Sequence, residues 1–122
     1  MAFDSYLITN KMKVFKFGGA SVKDAAGIKN VASIIQKYGE KNLVVVVSAT
    51  GKTTNALEVV IKAYFNDTDA KAAFEIVKKN HHQICVDLFG NETHEVFDKL
   101  QNVYAEVDWQ LEEDRKESYN YV

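Results

Sequence analysis

Leu43-Val44-Val45-Val46-Val47-Ser48-Ala49-Thr50-Gly51-Lys52-Thr53-Thr54-Asn55 is the stretch that decides the fold. Its first five residues are all apolar and four are valine, which predicts a strand buried on both faces. Small and hydroxyl-bearing residues follow from Ser48 to Thr53. Leu57, Val60, Ile61 and Tyr64 then recur at helical spacing. The order is strand, loop, helix.

Upstream, Met12 to Phe17 reads as a second β-favouring run, ended by Gly18-Gly19 where the chain can turn. Ser21 is expected to start a helix, with Asp24 completing a capping-box-like pair. Ile28, Val31, Ala32 and Ile35 form its apolar stripe, and Gly39 closes it. A helix between two strands makes a βαβ unit with parallel strands and a right-handed crossover. The fold class is therefore α/β.

Downstream the chain is helix-rich. Thr68 or Asp69 can cap a helix striped by Phe74, Val77, His81, Ile84 and Leu88, ending at Gly90. Thr93 is expected to begin another, with Val96, Leu100, Val103, Val107 and Leu111 in register. No third strand follows residue 48. Two strands under four helices make a poor independent domain, so the chain reads as the first part of a larger sheet protein.

The 122 residues suit at most one folding unit. Apolar residues at 47% and charged residues at 26% match an ordinary globular protein. A net charge of -2 without a dense basic run argues against a nucleic-acid partner. No apolar run reaches the roughly 20 residues that span a bilayer, so no membrane partner is expected. Met1 to Asn10 lacks the pattern of a secretory signal, and residues 1–11 read as a leader or extension before Met12. Cys85 is the single cysteine; it forbids an internal disulfide and favours a reducing compartment, the cytoplasm. Among Ile84, Val86 and Leu88 it is expected to be a buried thiol. A metal reading of His81, His82 and Cys85 has no further ligand at workable spacing, so no metal ligand is assigned. Trp109 and the final tyrosines are expected to pack or to face a partner.

The candidate chemistry lies in two loops, each following a strand. In Lys16-Phe17-Gly18-Gly19-Ala20-Ser21 the glycines let backbone N–H groups approach an anion, and Lys16 supplies a point charge suited to phosphate. A plain strand–turn–helix corner capped by Ser21 remains the simpler alternative for these residues. The second loop contains Gly51-Lys52-Thr53, but the Walker pattern needs a glycine where Val46 stands, so that pattern fails. Thr53 or Thr54 acting as an N-cap is the simpler alternative there. Parallel neighbouring strands bring their C-terminal ends to one edge, where ligands of open α/β sheets gather. Lys16, Gly18, Gly19, Ser21, Ser48, Thr50, Lys52 and Thr54 would then converge as donors without a carboxylate, which suits a nucleotide phosphate.

Lys16-Phe17-Gly18-Gly19-Ala20-Ser21-Val22 is similar to the K-F-G-G-[TA]-S-V opening of aspartokinases, members of the amino acid kinase superfamily. Val45 to Asn55 resembles their second segment, V-V-V-S-A-x-G-x-T-[TN], at a matching separation of about thirty residues. The resemblance is close from Met12 to roughly Leu57. It implies the N-terminal part of a three-layer αβα sandwich with a parallel β core. Residues 12–122 would be an incomplete kinase catalytic domain. It also implies ATP-dependent phosphorylation of the side-chain carboxylate of L-aspartate, the entry to lysine, threonine and methionine synthesis. Lys16 then corresponds to the lysine on the transferred phosphoryl group. Gly18, Gly19 and Ser21 would shape the ATP phosphate loop, Ser48 would lie between phosphate and aspartate, and Thr54 would help hold the aspartate. Mg2+ would accompany the nucleotide, and the full-length enzyme is expected to be a homo-oligomer.

The family's later G-E-[LM] segment, its adenine-binding residues and its regulatory domains are not reached. The 122-residue chain alone is accordingly expected to lack kinase activity. Another carbamate, glutamate or uridylate kinase of the superfamily, or a non-catalytic binding or assembly module, are the alternative readings.

Overall fold

The computed structural model describes residues 11–39 and 41–113. They divide after Gly51 into two compact units, each with its own core, rather than the single unit expected from length.

In the first unit, β1 (Lys13–Phe17) and β2 (Leu43–Val47) pair in parallel, with Lys13 opposite Leu43 and Phe17 opposite Val47. Between them run a 3-10 turn (Gly19–Val22) and α1 (Ala25–Tyr38). Phe17, Val22 and Val31 form the core, joined by Phe15, Ile28, Ile35 and Val45. The βαβ reading with parallel strands is borne out.

Two details differ. Ser21 does not cap the helix. It lies within the 3-10 turn, its N–H donating to the Gly18 carbonyl at 3.0 Å, and Asp24 is the cap, accepting from Gly27 N–H at 2.8 Å. The short turn takes up Ser21 and Val22, which the helical pattern had claimed. The second difference concerns β2, which is not buried on both faces. Val44 and Val46 are 41% and 46% exposed, and Val14 on the same face of β1 is 62% exposed. One helix covers one side of a two-stranded sheet, which leaves the valines of the other side bare.

The second unit is wholly helical among its described residues: α2 (Thr53–Phe65), α3 (Ala70–Phe89) and α4 (Glu95–Glu112). Val60, Ala70, Phe74 and Val77 form its core, with Ala56, Ala63, Tyr64, Tyr104, Val107 and Leu111 packed around them. Asp69 caps α3 by accepting from Ala72 N–H at 2.9 Å, and Gly90 ends it in the left-handed conformation at φ 71. Both match the sequence expectation.

The start of α4 does not. Its cap is His94, whose Nδ1 accepts from Val96 N–H at 3.1 Å, while the Thr93 amide and hydroxyl both donate to Asn91 Oδ1. The stripe of α4 is also rotated, since Tyr104 packs inward while Val103 is 55% exposed. Likewise α2 turns Ala56 and Ala63 toward the core rather than Leu57. In both helices a smaller or amphipathic neighbour fits the close helix contact better than the more apolar residue.

Lys78 ties α3 to α4 by reaching Asp108 at 2.6 Å, and it also pairs with Glu75 on its own helix at 2.9 Å. Cys85 is a buried free thiol, as expected. No helix among the described residues is long and apolar enough to cross a membrane.

Candidate functional site

The C-terminal edge of the β1–β2 pair carries the two loops. The strand ladder continues one residue past β2, because Ser48 N–H donates to the Phe17 carbonyl at 2.9 Å. Two residues further along β1's exit, the Gly19 carbonyl accepts from Gly51 N–H at 3.0 Å. The segment Ser48–Gly51 is thus pinned at both ends to the segment Phe17–Gly19, and Gly18 lies between the two anchored carbonyls.

The two glycines of the first loop have different reasons to be glycine. A Cβ on Gly19 would meet Gly51 O at 2.7 Å and Ala49 O at 3.0 Å, both backbone atoms, so the loop–loop contact itself excludes a side chain. A Cβ on Gly18 would meet nothing within 4 Å, and its φ of -74 is open to any residue. Nothing in the fold requires glycine there, and the open space is where a ligand could approach the backbone. The N–H groups of Gly18, Gly19 and Ala20 have no acceptor among the described residues.

The remaining residues singled out by the sequence fall as follows. Lys16 is exposed on β1 opposite Val46, and Ser21 and Ser48 are exposed at the loop edge. The first unit therefore brings Lys16, Gly18, Gly19, Ser21 and Ser48 to one end of the strand pair. Thr50 is half-buried in the second loop. Lys52 and Thr54 belong to the second unit, Lys52 at the N-cap position of α2 without a side-chain cap bond, and Thr54 exposed in its first turn. Neither Thr53 nor Thr54 is the cap.

The site's donor set tests which groups fit. The residues at the strand ends include no carboxylate, and the acid next along the chain, Asp24, is engaged in capping α1. Such a set suits the oxygens of a phosphate chain, and it suits Mg2+ only as an ion carried on those oxygens. The open space over Gly18 leaves room for the same group to approach the backbone.

Residues outside the site have partners of their own. His81 Nδ1–H donates to the Val77 carbonyl at 2.8 Å, and His82 Nε2 meets Glu92 at 2.8 Å. Burial raises the Cys85 thiol above its ordinary pKa, which disfavours the reactive thiolate. A cleft of about 630 Å3 in the second unit, lined by Tyr64, Asp67, Asp69, Lys71 and Glu113 among others, contains no residue of either motif. Its Asp69 caps α3, and its Lys71 pairs with Glu112 at 2.6 Å.

Sequence reasoning missed Gly51 as a structural partner of the first loop. It adopts φ 53, where glycine is favoured, and its N–H and carbonyl both face Gly19. The available signal was its place in the Ser48–Thr53 loop and at the glycine of the second motif, where it was given no role of its own.

Residues 11–106 match the amino acid kinase family. An Arabidopsis thaliana protein described as chloroplastic aspartokinase 2 is 33% identical over 89 residues, covering 66% of this chain and 16% of that protein. Chloroplastic aspartokinase 1 of the same plant is 38% identical over 72 residues, covering 56% of this chain and 13% of its own length. A chloroplastic bifunctional aspartokinase/homoserine dehydrogenase of Daucus carota is 31% identical over 80 residues, which is 65% of this chain and 9% of that protein. The chain spans about a sixth or less of the length of these curated relatives.

Proposed function

The chain belongs to the amino acid kinase family, and from that premise we propose that it forms part of an aspartate kinase, transferring the γ-phosphoryl group of ATP to the side-chain carboxylate of L-aspartate. Residues 12–122 would be the N-terminal part of the catalytic domain, the parallel pair β1–β2 the beginning of its three-layer sandwich, and residues 1–11 a leader or extension. The observation that carries this reading is the pinned pair of loops at the strand ends, with open space over Gly18.

In this reading Lys16 places its ammonium on the transferred phosphoryl group. Gly18 and Gly19 offer backbone N–H groups to the phosphates, with Ser21 and Ser48 adding hydroxyl donors. Ser48 and Thr54 hold the aspartate. Such residues position and neutralise, which is what phosphoryl transfer needs, and no covalent protein nucleophile is called for. ATP supplies the phosphoryl group, with Mg2+ neutralising its oxygens. Aspartate and ATP are the partners, a homo-oligomer is the state of the full-length enzyme, and a reducing cytoplasm suits the lone thiol.

The bare valines Val14, Val44 and Val46 favour one further reading, a non-catalytic module whose exposed face serves assembly. Calorimetric titration with MgATP separates the two. The kinase reading expects binding that Lys16→Met weakens about tenfold, the scale of a hydrogen bond to a charged group. Absence of nucleotide binding by the unmodified chain would favour the module. Catalysis needs groups beyond these residues, so hydroxylamine trapping of aspartyl phosphate should give no signal with the 122-residue chain alone. A clear signal would contradict that division of labour.

A further inference from the structure

The geometry points to Gly51 as a positioning residue for the Gly18–Gly19 loop, an inference that rests on the phosphate-binding reading of that loop. Gly51 has no side chain to offer a ligand. It acts through Gly19, whose carbonyl accepts its N–H at 3.0 Å. The Gly51 carbonyl in turn occupies the space in which a Gly19 side chain would stand, at 2.7 Å from the Cβ position. With the Ser48–Phe17 bond at 2.9 Å, this contact fixes the backbone on both sides of Gly18. The Gly18 carbonyl accepts from Ser21 N–H at 3.0 Å and the space over its Cα is open, so its presentation to a ligand is set by that turn together with the bonds on its two neighbours.

Gly51 can make this contact because of its backbone and not because of available space. Its φ is +53, a region that residues with a side chain rarely adopt, asparagine being a regular exception. A Cβ there would approach Lys23 at 3.7 Å, an ordinary contact. Glycine is therefore needed for conformation, and the substitution series has a built-in control. Gly51→Ala should disturb the hydrogen bond to Gly19, whereas Gly51→Asn should keep it.

The test is a titration of the 15N-labelled 122-residue chain with MgATP, following the amide resonances of Gly18 and Gly19. In the unmodified chain these should shift on binding. Gly51→Ala should weaken binding roughly tenfold, the scale set by left-handed strain in an L-residue, while β1 and β2 resonances stay in place. Gly51→Asn should restore affinity to near that of the unmodified chain. Equal binding by Gly51→Ala, or equal loss in Gly51→Asn, overturns the proposal. If MgATP shifts nothing in the unmodified chain, the phosphate reading fails. The hold on Gly19 is then read from hydrogen exchange at the residue 51 amide, slow in the Gly and Asn forms and fast in the Ala form. Exchange that does not differ among the three overturns it independently.

Discussion

The unit ending at Gly51 and the unit beginning at Lys52 are stabilised in different ways. The first leaves one face of its sheet bare and fixes its loops through backbone hydrogen bonds and glycine contacts. The second packs three helices around Val60, Phe74 and Val77 and ties α3 to α4 through Lys78. Apart from Lys52, Thr53, Thr54 and Asn55 at the start of α2, the motif residues all lie in the first. Backbone geometry is specified where ligand chemistry is expected, and side-chain packing where support is expected.

The largest effect should come from the second unit's core. Phe74 is 2% exposed and stacks edge-on against Tyr104, so Phe74→Ala should cost about 3–5 kcal/mol in urea unfolding. Val44→Thr, on the bare face of the first unit, should stay within about 0.5 kcal/mol. A Val44→Thr cost of comparable size would mean that this face is covered in solution, and the contrast between the units would break.

The glycine pair sharpens the contrast within the first unit. Gly19→Ala drives a Cβ into two backbone carbonyls and should cost about 1–3 kcal/mol. Gly18→Ala should leave stability unchanged or raise it by up to about 1 kcal/mol, because the site accepts a side chain without strain. Its loss should appear instead in MgATP affinity, measured on the same two variants.

Alkaline pH should weaken the second unit. Burial pulls the Lys78 ammonium down, but its bonds to Asp108 and Glu75 outweigh this and hold it above lysine's ordinary value. Burial raises the Cys85 thiol and the Tyr104 phenol. All three pKa values are raised by folding, so their contribution is complete below the unfolded values and is lost as pH rises through the folded ones. The window opens at roughly pH 8.5 with the thiol and extends beyond about 10 with the other two. Helix unfolding followed by circular dichroism across that range should show a falling midpoint, and Cys85→Ala should delay its onset. A flat profile would contradict the assignment.

The smallest effect belongs to Tyr104→Phe. The Tyr104 hydroxyl is buried without a hydrogen-bond partner among the described residues. Removing it should leave stability unchanged or raise it by up to about 1 kcal/mol. A marked loss would reveal a partner for that hydroxyl.

Much of the architecture was legible from local pattern. Leu43–Val47 is a strand with the bounds expected, Asp69 and Gly90 bound α3 as their chemistry predicts, and the strands are parallel because a helix intervenes. What the pattern could not reveal depends on tertiary context. A run of valines announces a sheet core, but not that a two-stranded sheet leaves Val44 and Val46 exposed. Helical spacing put Val103 on the stripe of α4, whereas Tyr104, the next residue and about 100° further round the helix, is the one that packs inward. Ser21 and Asp24 are both good caps, and the 3-10 turn that selects Asp24 is not visible in periodicity. Within the candidate site the sequence pointed to both loops, while the bond between Gly19 and Gly51 required coordinates.

The most direct test of the central claim is a map of amide shifts on adding MgATP to the 122-residue chain. The account predicts shifts centred on Lys16 to Ser21 and Ser48 to Gly51, with the helices α3 and α4 unmoved. Shifts confined to the helices, or none at all, would contradict it.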